Sequence, residues 1–275
     1  MVPKVGQIQF INCFPLYYGQ IEKKFLLDIE LIRGTPTELN GMLKNNQLHL
    51  SSISSVAYAQ NWEDYVLMPE ISISADGEVK SVNLYSKIPI GELDGKTVAL
   101  TNLSATSQAL LKIIMAEHYK IKPNYFETIS DLGTMLDKAD AALLIGDDAL
   151  RTFYEPNDNL YVYDLATLWK EFTGLPMVFA VWAIRKEFAE NHLDELRLIK
   201  QVFTDSISYS LANIKDVARK ASKWGSFPTE HLEDYFVTLK YDFNESKQKG
   251  LLEYYRQVHK LGLIKDIPDL KVLNI

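Results

Sequence analysis

With 275 residues, 47% of them hydrophobic and 24% charged, the chain is long enough for one large domain or two of ordinary size, each with its own core. Its formal net charge of −7 comes with no Lys/Arg block that could track a phosphate backbone, which argues against nucleic acid as a partner. No run reaches the roughly 20 apolar residues of a membrane span, and the amino terminus lacks a positive region followed by a sustained apolar segment, so the expected compartment is the cytoplasm. The single cysteine, Cys13, cannot form an internal disulfide, and five scattered histidines (His49, His118, His192, His231, His259) show no paired metal-ligand spacing, so neither metal nor cofactor is expected.

Lys4 to Phe10 alternates as a first strand and runs into Ile11-Asn12-Cys13-Phe14-Pro15-Leu16. Pro15 disfavours helical geometry at Phe14, so an extended or turn segment is expected before a helix from Leu16. Asn12 then stands at the carboxyl end of a strand, where open α/β sheets place ligands, although a loop Asn also commonly bridges backbone groups. Cys13 has no neighbouring base to make it a nucleophile. Next come a strand at Ile29 to Arg33, a helix capped by Thr35 with Pro36 at its first position, and a short strand, Leu48 to Leu50. That strand ends in Ser51-Ser52-Ile53-Ser54-Ser55, a serine loop opening a helix at Val56. Tyr65 to Met68 and Ile71 to Ser74 read as strands interrupted at Pro69, and Ala75-Asp76-Gly77 as the turn of a hairpin with Val79 to Tyr85, a strand that contains Ser81.

Lys96 to Met115 changes period near Asn102 to Ser104, from a β-prone run to helical spacing. Ser104 is the natural N-cap. A helix starting there leaves the first amides, Ala105, Thr106 and Ser107, without intrahelical partners at the positive end of the dipole. With the hydroxyls of Thr106 and Ser107 and no Lys or Arg between Thr97 and Leu111, an anion there would be held by dipoles, which suits a small carboxylate or phosphate. An ordinary capped helix has the same pattern. Strands and helices then alternate through Ile184 in a βαβ order that implies a parallel sheet, with a further strand-to-helix junction at Gly146-Asp147-Asp148. After Arg185 everything reads as helical: 193–211, 215–224, 229–237 and 244–262.

The pattern gives an α/β protein of two lobes, with the chain crossing near Ser86 and back near Ile184. Residues 1–85 with 185–275 would form lobe 1, 86–184 lobe 2, and the helical C-terminal segment would pack on lobe 1, with a ligand cleft between the lobes. Five segments taken in order, the one from Ile11, ADGEVKSVNLYSK from Ala75, LTNLSATSQALLK from Leu100, DAALLIGDDAL from Asp140 and DLATLWKEFTGLPMVFAVW from Asp164, resemble the chorismate dehydratase family of the futalosine route to menaquinone. Ile11, Cys13 and Met177 depart from the residues usual there.

The resemblance implies a type II periplasmic-binding-protein-like fold, each lobe a mixed sheet flanked by helices. It also implies a carbon-oxygen lyase that takes water from chorismate to give 3-[(1-carboxyvinyl)oxy]benzoate, with the substrate's own enolpyruvyl carboxylate as base. On that reading Asn12 and Ser81 hold the C4 hydroxyl and reacting edge. Ser104, Thr106 and Ser107 take one carboxylate, Ser54 and Ser55 the other, and Gly146 and Asp147 line the opposite wall. The alternatives are a non-catalytic small-carboxylate binder of the same fold, and the related 1,4-dihydroxy-6-naphthoate synthase, whose SPCPND-like opening is absent here.

Overall fold

The computed structural model describes residues 2–24, 27–155, 158–225 and 227–275. In chain order, β1 (Lys4–Ile8), α1 (Phe14–Lys23), β2 (Glu30–Gly34), α2 (Pro36–Lys44), β3 (Leu50–Ser54), α3 (Ser55–Asn61) and β4 (Tyr65–Ala75) come first. The next group is β5 (Val82–Ser86), β6 (Thr97–Thr101), α4 (Ala105–Ile113), β7 (Asn124–Thr128), α5 (Leu132–Leu136), β8 (Ala141–Ile145), α6 (Gly146–Tyr154), β9 (Tyr161–Asp164) and α7 (Leu165–Thr173). The chain closes with β10 (Met177–Arg185), α8 (Lys186–Asn191), α9 (Leu193–Ala212), α10 (Ile214–Ala221), α11 (Thr229–Phe236), β11 (Leu239–Lys240) and α12 (Glu245–Lys260).

These strands form two sheets, ordered β11-β4-β10-β3-β1-β2 and β7-β6-β8-β5-β9. Both are mixed. In the first, β1 runs parallel to β2 and β3 while β10 is antiparallel to β3 and β4. In the second, β6 runs parallel to β7 and β8 and β5 is antiparallel to β8 and β9. The wholly parallel second sheet expected from the βαβ order is corrected by β5, which enters from the first lobe and must run against its neighbours. β8, Ala-Ala-Leu-Leu-Ile, is buried at every position, as a strand covered on both faces requires. The caps written in the sequence form: Thr35 and Glu38 make a reciprocal box at α2, and Ser54, Ser104 and Asp164 cap α3, α4 and α7.

Five expectations are corrected. β4 and β5 are not a hairpin: β4 pairs with β10 and β11, β5 with β8 and β9. Pro69 does not end β4, because Met68 to Ile71 fall in a register shift against β10 in which the missing N–H is not needed by the ladder. Sheet membership therefore moves the crossings from near Ser86 and Ile184 to the segments between Ala75 and Val82 and between Asp164 and Met177. Phe14 is helical, with Pro15 in the first turn of α1, where its absent N–H has no acceptor to lose. Finally, residues beyond Arg185 are not all helical, since β11 extends the first sheet through Leu239 opposite Ala75.

One continuous hydrophobic cluster runs through both lobes, and a smaller one around Tyr85, Met135 and Leu144 sits on the second sheet. The C-terminal segment binds both lobes rather than the first alone. Ser210 Oγ on α9 donates to Pro15 O of α1 at 2.7 Å, while Tyr254 Oη on α12 donates to Thr106 O of α4 at 2.9 Å. No described helix is long and apolar enough to cross a membrane.

Candidate active site

Between the two sheets lies a cavity whose polar lining comes from Asn12, Ser54, Ser81, Ser104, Ser107 and Gly146, with Phe10, Leu103 and Phe179 among its apolar walls. Three helix starts converge on it: α3 at Ser54, α4 at Ser104 and α6 at Gly146. Ser104 Oγ accepts the Ser107 amide at 3.1 Å and pairs with Ser107 Oγ at 3.0 Å. That cap leaves the amides of Ala105 and Thr106 at the dipole's positive end. Gly146 has φ +64° and donates its amide to Ser81 O at 2.8 Å. The glycine answers to that backbone angle and not to crowding, since a Cβ there would only touch the Phe10 ring at 3.5 Å.

Asn12 lies in the 3-10 turn Ile11–Cys13 that joins β1 to α1. Its carbonyl accepts from Tyr241 Oη at 2.8 Å, and the Ile11 amide donates to Asp147 Oδ1 at 3.1 Å, so the turn is tied from two sides. Asn12 Oδ1 is nevertheless buried and, among the described residues, has no partner. An unpaired buried acceptor costs about 1–3 kcal/mol, a cost that a ligand donor in the cavity would remove. Ser81 stands one residue before β5, not within a strand, in the segment that carries the chain from one sheet to the other. Asp164 fixes that bend: its Oδ2 accepts the amides of Val79 and Lys80 at 2.9 and 2.6 Å while its Oδ1 caps α7.

Of the nine residues expected at the site, these six line the cavity and three do not. Ser55 is buried and donates its hydroxyl to Val178 O at 2.7 Å. Thr106 Oγ1 accepts the Val56 amide at 3.0 Å, joining α4 to the start of α3. Asp147 joins α6 to the Asn12 turn, and burial raises its carboxyl above the usual aspartate range. Thr106 and Asp147 join the two lobes beneath the site, Ser55 ties α3 to β10 within the first lobe, and none of the three lines the cavity. Cys13 borders the cavity, but burial holds its thiol far above the ordinary range, so it does not supply a thiolate. Sequence reasoning missed the tyrosines that brace the site, Tyr235 on Ser81, Tyr241 on Asn12 and Tyr255 on Ser55 O.

The Asp147 tie has a testable pH signature. A carboxyl raised in the folded state contributes stability below its unfolded value, and that contribution is lost as pH rises through the folded value. Asn keeps the acceptor for the Ile11 amide without the buried charge. Asp147→Asn should therefore melt at or above the wild type at neutral pH, with the difference closing by about pH 4. Asp147→Ala, which orphans the amide, should cost about 1–2 kcal/mol. Melting curves across that range check both.

Among the described lining residues none is Asp, Glu, His, Lys or Arg, so the cavity presents neutral donors in an apolar frame. A family model described as menaquinone biosynthesis matches residues 3–260. The chain belongs to that family. Within the menaquinone biosynthesis family it is 31% identical over 262 residues to the chorismate dehydratase of Thermus thermophilus, covering 90% of this chain and 92% of that one. It is 22% identical over 260 residues to the 1,4-dihydroxy-6-naphtoate synthase of the same organism, covering 93% and 92%. Among solved structures, a protein of Archaeoglobus fulgidus superposes with a TM-score of 0.79 at 22% identity, covering 95% and 98% of the two chains. The periplasmic aliphatic sulphonate binding protein of Escherichia coli gives 0.74 at 11% identity, covering 99% and 92%. The two-lobed periplasmic-binding-protein-like fold stands on these.

Proposed function

We propose that the protein is a hydro-lyase that converts chorismate to 3-[(1-carboxyvinyl)oxy]benzoate and water. The observation that carries the reading is a cavity with three helix N-termini, four hydroxyls and an Asn12 Oδ1 unpartnered among the described residues, yet, among its described lining residues, no ionisable side chain able to act as base at neutral pH. Such a site suits a dianion that brings its own base. The similarity to a named chorismate dehydratase supports the choice of substrate.

In chorismate the C3 proton is acidified because the carbanion left behind is conjugated through the ring double bond to the ring carboxylate. The enolpyruvyl carboxylate, attached through oxygen at C3, is placed to take that proton. The C4–O bond then breaks with its electron pair on oxygen, and the ring becomes aromatic. The protein's part is to orient and to stabilise developing charge. The Ser104 and Ser107 end of α4 holds one carboxylate and the Ser54 end of α3 takes the other. Asn12 and Ser81 face the C3–C4 edge. The apolar walls and the second lobe keep bulk water from the reacting bond.

Purified protein mixed with chorismate should yield an aromatic product lighter by one water, detected by mass and by ultraviolet absorption. Unchanged chorismate together with a raised melting temperature would leave a binding protein and sink the lyase.

A further inference from the structure

Tyr235 is fully buried on α11, and its hydroxyl lies 2.9 Å from Ser81 Oγ. A serine hydroxyl carries one proton and two acceptor positions. The phenol is the stronger acid of the pair, so the tyrosine donates and the serine accepts. Burial holds the Tyr235 phenol well above its ordinary range, so it keeps its proton at neutral pH. Among the described residues no acceptor takes the Ser81 proton, and Ser81 borders the cavity.

The pair is rigidly set. The preceding residues are joined too: Asp234 Oδ2 accepts from Lys80 Nζ at 2.5 Å and from Tyr154 Oη at 2.6 Å. Two successive residues of α11 thus hold two successive residues of the crossing segment. Lys80 itself has φ +64°, a conformation that needs such support. Tyr241, from the same part of the chain, grips only a backbone carbonyl of Asn12. Tyr235 instead touches the functional atom of a cavity side chain.

We propose that Tyr235 is a positioning residue for the elimination: by donating to Ser81 Oγ it turns the Ser81 proton into the cavity, where it hydrogen-bonds the departing C4 oxygen. This rests on the dehydratase reading. In the step the C3–H electrons become the new C3–C4 double bond, the C4–O pair leaves on oxygen, and the proton taken from C3 leaves with that oxygen as water. Ser81 stabilises the departing oxygen and keeps its own proton.

A double-mutant cycle tests the role. Tyr235→Phe should lower kcat by about 10-fold with KM within about 2-fold. Ser81→Ala should lower it further, and the double variant should be no slower than Ser81→Ala. A Tyr235→Phe enzyme at wild-type kcat, or one whose loss recurs in full on the Ser81→Ala background, overturns the proposal. A wild type that leaves chorismate unchanged overturns the dehydratase reading and this role with it, whereas wild-type turnover with no effect of Tyr235→Phe removes this role alone. If the variant does not fold, tyrosine labelled with carbon-13 at Cζ reports on intact protein. The resonance that Ser81→Ala displaces should move when the slow Asn12→Ala variant is saturated with chorismate, which still carries the C4 oxygen, and a resonance that stays fixed overturns the proposal.

Discussion

Asn12→Ala should slow the dehydration of chorismate by about 100-fold or more while lowering the melting temperature by no more than about 2 °C. The two halves of this expectation follow from different atoms of one residue. The turn is held through Asn12's backbone, whose carbonyl accepts from Tyr241, and through the Ile11 amide on Asp147, neither of which alanine disturbs. The side chain, by contrast, gives the fold no acceptor bond among the described residues, where Oδ1 is buried and unpaired. Removing it deletes an uncompensated polar group from the folded protein and a ligand contact from the complex. Steady-state kinetics beside a melting curve make the check. A near-normal kcat would take Asn12 out of the chemistry, and a large fall in melting temperature would show that the side chain serves the fold. Ser81→Ala is not equivalent, because it also strands the buried Tyr235 hydroxyl and should cost stability as well as rate.

The periodic parts of the sequence were sufficient for most of the architecture. The strand-to-helix junctions at Ser54, Ser104 and Gly146 are written in a few adjacent residues, because a cap is a local device and a change of period is visible over one turn. Partners of those residues were not visible. Thr106 and Asp147 look in sequence like any hydroxyl or carboxylate near a helix start. That they face Val56 and Ile11 in place of the cavity depends on how the lobes meet. The crossing points were missed for a similar reason: whether β5 pairs back on β4 or forward on β8 is a choice between two apolar ladders with the same alternation. The bracing tyrosines were hidden most deeply. Tyr235, Tyr254 and Tyr255 lie on the apolar faces of helices and read as core, while their hydroxyls reach residues 148 to 200 positions away. The one available signal was chemical, since a buried tyrosine hydroxyl needs a partner.

That long-range bracing predicts a large effect at a residue with no side chain. Gly250 lies on α12 where it passes the start of β10, and a Cβ there would stand 2.2 Å from Pro176 O. The obstacle is backbone and cannot rotate away. Pro176 O is also the acceptor for the buried Trp169 indole at 3.3 Å, so pushing it aside disturbs one of the largest core side chains. If α12 moves instead, Tyr254 and Tyr255, one turn along, carry their hydroxyls away from Thr106 O and Ser55 O, the two backbone groups that seat α4 and α3 under the cavity. Overpacking of this kind costs about 3 kcal/mol, which for a chain of this size is a fall in melting temperature of about 6–12 °C. Gly250→Ala should also raise KM for chorismate more than it lowers kcat, because displaced helix starts weaken carboxylate binding before they touch the reacting edge. Gly41→Ala is the control. Gly41 sits in α2 with nothing within 4 Å of its would-be Cβ, so alanine there should be neutral or add about 0.5–1 kcal/mol through helix propensity. Equal melting temperatures for the two variants would show that α12 does not brace the site through this contact.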